Sequence, residues 1–411
     1  MTTAAYLSKQ TGLHRPPSHA NWLSVVTHLD PKYGGLSAAV PALADAVSQA
    51  GHFSTSIAGF CAPGEHFKPV TANPIAIDHM PLGRLHWMKD SAARHSFQEL
   101  VDDSAGVHIH GIWEHSTAAA ASRARSSKKP YVISAHGMLE RWALANKRAK
   151  KIVYAALIER ANLQSANCLH ALTQAEAQDY RNFGLLNPIA VIPNGVNIPP
   201  NFSPDLFLER YPELRGKRLV LFLGRIHFKK GLDLLARAWK RVAPKSLDAH
   251  LVLAGPDSEN TQDTLYRQLI ASGLSQRVTF TGMLNHDLKW SALAAAECFV
   301  LPSYSEGLSV SALEAMGAGL PVIVSKQCNL PEVEEHNCGW VIDTQVDELV
   351  TALNGLLRAS SREVADMGTN GRQLTARRYS WPVIGEQMSG VYRWLNGGGV
   401  PAQVEWHERL I

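Results

Sequence analysis

Short apolar runs alternate with longer amphipathic stretches along almost the whole chain. Trp22 to His28 reads as a first strand, Leu36 to Gln49 as a helix and Thr55 to Phe60 as a second strand. Val107 to Ile112, Tyr131 to Ala135, Cys168 to Thr173 and Ile189 to Ile192 continue the series, with helical stretches between them. Runs of this length and spacing predict a parallel sheet covered by helices on both faces. Residues 1–21 read as an irregular lead-in.

The pattern breaks at Ile192-Pro193-Asn194-Gly195-Val196-Asn197-Ile198-Pro199-Pro200, where Pro, Asn and Gly mark a turn-rich connector. A second alternation starts at Arg218 to Gly224. It runs through His250 to Ala254, Arg277 to Thr281, Glu297 to Leu301, Val322 to Ser325 and Trp340 to Ile342. The chain therefore predicts an α/β protein of two Rossmann-like, doubly wound domains facing a central cleft. The boundaries are 1–198 for the first domain and 199–382 for the second. A last helix, Val383 to Leu395, follows Tyr379-Ser380-Trp381-Pro382, and residues 396–411 read as a loosely held tail.

The richest segment for chemistry is Ser305-Glu306-Gly307-Leu308-Ser309-Val310-Ser311-Ala312-Leu313-Glu314-Ala315-Met316. It lies between the apolar runs Cys298 to Leu301 and Val322 to Ser325, so it forms the turn and helix of a βαβ unit, where such folds bind ligands. Gly307 has no Cβ and admits a ligand close to the backbone. The N–H groups of Gly307, Leu308 and Ser309, at a helix N-terminus, suit an anion such as a diphosphate. Glu306 and Glu314 flank that position, and a carboxylate can accept two hydroxyls of a sugar or ribose.

A second candidate lies at the end of the first strand of the second half, Leu223-Gly224-Arg225-Ile226-His227-Phe228-Lys229-Lys230-Gly231-Leu232. Gly224 relieves crowding at the turn, while Arg225 and Lys230 would bring two positive charges onto one diphosphate. Lys229 reads as a bystander. In the first half, Gly34 and Gly35 sit in a strand-to-helix turn that lets backbone approach a ligand. His110 and His136 both end strands of that half.

The Glu-x7-Glu pattern of Glu306 and Glu314 in SEGLSVSALEAMGAGLPVI, with the G-R-x4-K-G element, resembles family 4 of the retaining nucleotide-sugar glycosyltransferases, which have the GT-B fold. The resemblance spans most of the chain and is strongest from about residue 107 onward. It implies a hexosyltransferase-type enzyme taking a nucleotide-sugar donor and a glycan, lipid-linked or small-molecule acceptor. It further implies that Arg225 and Lys230 hold the donor pyrophosphate and that His136 contacts the donor sugar near its reacting carbon. The Gly34-Gly35 loop would close over the donor phosphates. Phe280 to Leu284, with Gly282 and Met283, would pack on the base through backbone. The last helix would cross back to the first domain. Similarity of the HGIW, HGM and LHALT segments suggests polysaccharide or glycoconjugate biosynthesis.

Other features narrow the picture. No D-x-D motif is present, the adjacent Asp102 and Asp103 fall in a helical stretch, and no His/Cys cluster has zinc-like spacing, so no metal is expected. Gly317-Ala318-Gly319 follows a helix rather than a strand, which excludes a nicotinamide-binding fingerprint. A GT-B epimerase or hydrolase and a catalytically silent nucleotide-binding module remain as alternatives. With 45% hydrophobic and 18% charged residues the chain has ample core. No apolar run reaches the ~18 residues of a membrane-spanning helix, and the first residues lack the apolar region of a secretion signal. Five scattered cysteines with no C-x-x-C pair point to a reduced, cytoplasmic protein. A net charge of +4 does not suggest nucleic acid. Residues 141–160 read as one long basic helix, with Arg141, Lys147, Arg148, Lys150, Lys151 and Arg160 against Glu159. Such a face either is solvated or contacts the inner face of a membrane.

Overall fold

The computed structural model describes residues 20–30, 35–61, 76–81, 91–145, 148–257 and 261–407. Gly34, Lys147 and residues 1–19 of the lead-in lie outside the described residues. The chain forms two compact units, residues 1–195 with 381–411 and residues 196–380.

The first unit is built on strands β1 (Asn21–Val26), β2 (Ser54–Cys61), β3 (Ala76–Pro81), β4 (Gly106–His110), β5 (Tyr131–Ser134), β6 (Cys168–Ala171) and β7 (Ile189–Val191). They pair in parallel in the order β7-β6-β5-β4-β1-β2-β3. Side chains alternate between the faces, as the pleat requires. Leu23, Val25, Val107, Ile109, Tyr131, Ile133 and Leu169 join one apolar cluster. Trp22, Val132, Cys168 and Ala190 join another with Leu43 and Val47 of the helix Leu36–Gln49 and Ile384, Met388 and Tyr392 of the helix Trp381–Leu395. Trp22 and Tyr392 stack with ring centroids 3.8 Å apart. Gly385 lets the two helices approach closely, since a Cβ there would lie 2.3 Å from the Ala46 carbonyl oxygen.

Residues 396–407, the described part of the expected tail, are not loose. Val404–Glu405 form a further strand, β14, antiparallel to β7. Val404 is buried and Trp406 meets Trp394 at 5.8 Å. The exposed edge of β7 supplies the reason, because pairing and apolar burial there outweigh the freedom of the glycine-rich segment before it. Strand β3 was not expected at all.

The basic segment is not regular α-helix throughout. Arg141–Ala145 and Arg148–Tyr154 are α-helical, residues 146–147 lie outside the described residues, Ala155–Glu159 is a π-helical turn, and Arg160–Gln164 resumes the α-helix. The turn swings Glu159 inward, where its carboxylate accepts the Trp113 N–H at 3.1 Å.

The second unit carries β8 (Arg218–Leu223), β9 (Ala249–Ala254), β10 (Val278–Gly282), β11 (Cys298–Leu301), β12 (Val322–Ser325) and β13 (Gly339–Ile342). They run parallel in the order β10-β9-β8-β11-β12-β13. All four residues of β11 and of β12 are buried, as expected for strands covered on both faces. One cluster, which includes Trp239 and Trp290, forms the core.

Gly385→Ala should lower the stability of the first unit by about 1–3 kcal/mol, because the added methyl must push two packed helices apart. Urea unfolding of the two proteins measures the difference.

Candidate functional site

In the second unit the chain runs outward from β8 to β9 and β10, then returns to place β11 on the other side of β8. The strand order therefore reverses between β8 and β11, and ligands of open parallel sheets bind beyond the carboxyl ends of strands at such a point. The loops leaving these two strands carry Gly224 to Lys230 and Ser303 to Ser309.

The two loops are tied together. The Tyr304 N–H donates to the Lys229 carbonyl at 2.7 Å. The Tyr304 hydroxyl reaches the Asp233 carboxylate at 2.9 Å. Gly231, at φ +66°, lies against the Pro302 carbonyl oxygen, where a Cβ would approach to 1.9 Å. The Lys230 ammonium donates to Glu306 Oε1 at 2.6 Å, and the Ser303 hydroxyl donates to the same oxygen at 2.6 Å. Lys230 and Glu306 side chains are only 18% and 13% exposed, so little water screens the pair. The Ser303 carbonyl in turn accepts the Ser325 hydroxyl. Asn329, in the left-handed region, donates its amide to the carbonyls of Glu306 and Gly307.

The helix starts later than the sequence suggested, at Val310, with Ser309 as its cap accepting the Ala312 N–H. Glu306, Gly307 and Leu308 thus form a turn ahead of the helix. The backbone N–H groups of Gly307 and Leu308 make no hydrogen bond among the described residues. Glu314 lies just over one turn into the helix and accepts from the Lys289 ammonium at 2.6 Å. Lys289, held 5.1 Å from the Trp290 ring, was missed in the sequence because nothing local marks it.

Arg225 is exposed and makes no ion pair among the described residues. Its turn is fixed from below. The Gly224 N–H donates to Ala254 and the Gly255 N–H to Gly282, and a Cβ on Gly255 would collide with the Gly224 carbonyl. Gly282 ends β10 at φ +68°, and Met283 beyond it is 79% exposed. Gly224, Arg225, Lys230, Gly282, Met283, Glu306 to Ser309 and Glu314 therefore all follow the carboxyl ends of β8, β10 and β11.

In the first unit the order reverses between β1 and β4. Gly35 precedes the helix Leu36–Gln49 after β1. His136 follows β5 at φ +52°, and His110 ends β4. His110 Nδ1 and His136 Nε2 lie 3.2 Å apart. The loop at His136 is held by Glu176, whose carboxylate accepts the N–H groups of Gly137 and Leu172, each at 2.8 Å. Glu176 belongs to a Thr173-x-x-Glu176 helix start, a signal legible in the sequence but not used.

A polar chain crosses the strands beside this rim. The Tyr392 hydroxyl lies 2.7 Å from His108 Nδ1, His108 Nε2 lies 2.7 Å from Ser134 Oγ, and Ser134 Oγ lies 2.6 Å from His170 Nδ1. The last member, His170 Nε2, must donate to the Ile192 carbonyl at 2.8 Å. That fixes every proton: Ser134 donates to His170, His108 donates to Ser134, and Tyr392 donates to His108. The arrangement requires neutral imidazoles. Burial holds all of them low: His108 and His110 well below the usual range, His170 at about 4 and the more exposed His136 at about 3. Burial has the opposite effect on carboxyls, pushing Glu159 and Glu176 up to about 7.

Asp102 pairs with Arg123, which holds its carboxyl below the usual range. Among the described residues no group of His, Cys, Asp and Glu could hold a metal ion. No described helix is long and apolar enough to cross a membrane.

Both units match known families. Residues 34–195 match the glycosyl transferase 4-like domain, and residues 207–374 match the glycosyl transferases of group 1. The structure resembles a sucrose-phosphate synthase from Thermosynechococcus elongatus, with TM-score 0.71 and 20% identity over 93% of this chain and 100% of that one. It also resembles Anabaena HepE solved with UDP-glucose, with TM-score 0.66 and 18% identity over 92% and 100%. The structural matches show the GT-B fold, and each of the two family models matches one unit of the chain. Among curated proteins, an uncharacterized glycosyltransferase of Methanocaldococcus jannaschii is 30% identical over 50% of this chain and 54% of its own. A GDP-mannose-dependent monoacylated phosphatidylinositol monomannoside mannosyltransferase of Corynebacterium glutamicum is 33% identical over 41% and 45%. The chain spans about half the length of these curated relatives.

The four histidines held low by burial, His108, His110, His136 and His170, each take up a proton on unfolding below pH 6.5, whereas Glu159 and Glu176 each release one between pH 7 and 4.5. The histidines prevail by about two protons, so acidification should destabilise this unit. The midpoint of urea unfolding is expected to fall between pH 7 and pH 5; a constant or rising midpoint would show that the imidazoles are not buried as neutral groups.

Proposed function

We propose that this chain is a retaining glycosyltransferase that moves a sugar from a nucleotide diphosphate sugar to a glycan or lipid-linked acceptor. The observation that carries the reading is the Lys230–Glu306 pair at the point of strand reversal, with exposed Arg225 on the loop after β8 and the unbonded amides of Gly307 and Leu308 on the loop after β11. Cations, amides and carboxylates on two joined loops match a diphosphate joined to a polyhydroxylated ring. The solved relative HepE was captured with UDP-glucose, and the Corynebacterium relative is named for its use of GDP-mannose, which supports a donor of this class.

In this reading Arg225, Lys230 and the amides of Gly307, Leu308 and Ser309 hold the diphosphate. They offset the charge that grows on it as the glycosidic bond breaks, where fixed donors contribute most. Glu306 is oriented by Lys230 and Ser303, leaving its second oxygen for sugar hydroxyls. Glu314, oriented by Lys289, takes the ribose hydroxyls. Gly282 and Met283 face the base. The acceptor hydroxyl attacks on the face the leaving group departs from, and a phosphate oxygen takes its proton. No step calls on a metal.

Glu306→Gln should lower kcat/KM by about 100-fold while the Kd for the nucleoside diphosphate changes little, because the loss falls on the sugar. Arg225→Ala should instead weaken diphosphate binding by about 10- to 100-fold, the value of a charge-assisted hydrogen bond. Steady-state kinetics and calorimetry separate the two. Unchanged turnover in Glu306→Gln, or rapid donor consumption with no acceptor present, would overturn the transferase reading.

A further inference from the structure

The first unit holds a cavity of about 790 Å³ beside the loop that follows β4. Trp113, Phe183, Leu144 and Ile152 give it apolar walls, and Lys151 and Arg160 stand at its rim. Each cation is fixed over a wall aromatic: Lys151 lies 5.5 Å from the Trp113 ring and Arg160 lies 5.3 Å from the Phe183 ring. Lys151 also donates to the Ala143 carbonyl. The lip beyond Ile152 is aliphatic, with Ile152, Val153 and Leu157 exposed at 58%, 58% and 74%.

This wall is held under strain. Trp113 is a bulky residue at φ +72°, a conformation that persists only when its surroundings impose it. Glu159 accepts its backbone N–H, and its indole N–H donates to the Met138 carbonyl at 3.3 Å. The π-helical turn Ala155–Glu159 that delivers Glu159 is a rare element found mostly at functional sites. Through Met138 the wall is joined to the segment that follows His136. The Glu159 carboxyl, pushed up to about 7 by burial, carries only part of a negative charge at neutral pH.

We propose that this cavity receives the hydrocarbon chain of a lipid phosphate, whose phosphate is held by Lys151 and Arg160. The assignment rests on the transferase reading and names its acceptor class. Charge complementarity selects the occupant: two fixed cations suit a phosphate, and the aliphatic walls suit a chain. Exposed Ile152, Val153 and Leu157 offer no partner to the hydroxyls of a free glycan.

The test is calorimetry on the full chain with farnesyl monophosphate, alongside farnesol, inorganic phosphate, and UDP and GDP. Farnesyl phosphate should bind at least ~10-fold more tightly than farnesol or phosphate alone. Arg160→Gln and Ile152→Asp should each weaken it about 10-fold, with nucleotide binding unaltered. Nucleotide binding without farnesyl phosphate binding overturns the cavity assignment and leaves the donor site standing. Equal affinity in wild type and both variants overturns it too. Affinity for vesicles of phosphatidylcholine and phosphatidylglycerol, with none for farnesyl phosphate, would assign this face to a bilayer surface and overturn it as well. Farnesyl phosphate binding that the variants reduce, in a chain that binds neither UDP nor GDP, supports the cavity and removes the donor reading.

Discussion

Two loops from neighbouring strands must meet in the second unit without a side chain between them. Gly231 against the Pro302 carbonyl makes that contact possible, and the rest of the geometry at these two strand ends follows from it. With the backbones in touch, Tyr304 can bond to Lys229 and Asp233, and Lys230 can reach Glu306. A residue with a Cβ at position 231 would separate the loops and leave a largely buried carboxylate without its counter-charge. Breaking such a pair typically costs about 3–5 kcal/mol. The pair is therefore both a structural clasp and a pre-set arrangement of charge, which is the form in which electrostatics assists a reaction without reorganisation.

The first unit solves a different problem by related means. Its strand ends place imidazoles side by side where water cannot reach them. The single carbonyl of Ile192 at the end of the chain dictates the tautomer of every group back to Tyr392. That order keeps His108 and His170 neutral and gives the sheet rim a defined polarity. Glu176 and Glu159 act alongside it, each receiving backbone N–H groups from the loop of a strained residue: Gly137 after His136 in one case, Trp113 in the other.

Much of this was legible in the sequence. The strand series was readable because parallel strands covered on both faces leave unbroken apolar runs. Glu306, Glu314, Arg225 and Lys230 stood out because they follow such runs within a recognisable spacing. Their partnerships were not legible. Lys230 and Glu306 are 76 residues apart, and Lys289 looks like any basic residue on a surface helix. Strand β3 was missed because Asp78 and His79 interrupt its apolar pattern, and β14 because two residues carry no periodicity. The π-helical turn went unread because Ala155-Ala156-Leu157-Ile158-Glu159 contains only ordinary helix formers. The contact that accompanies it, the Trp113 N–H to Glu159, joins residues 46 positions apart.

The docking of Trp381–Leu395 and Val404–Glu405 onto the sheet of the first unit has a consequence for biogenesis. A ribosome releases residues 1–195 long before the segments that complete their core. Trp22, Val132 and His108 must wait, with Tyr392 still to be made, while residues 196–380 are threaded out and can close their own sheet. The later-made unit can therefore mature ahead of the earlier one, and the growing chain exposes an incomplete apolar face throughout that interval, the period in which chaperone capture or aggregation is most probable.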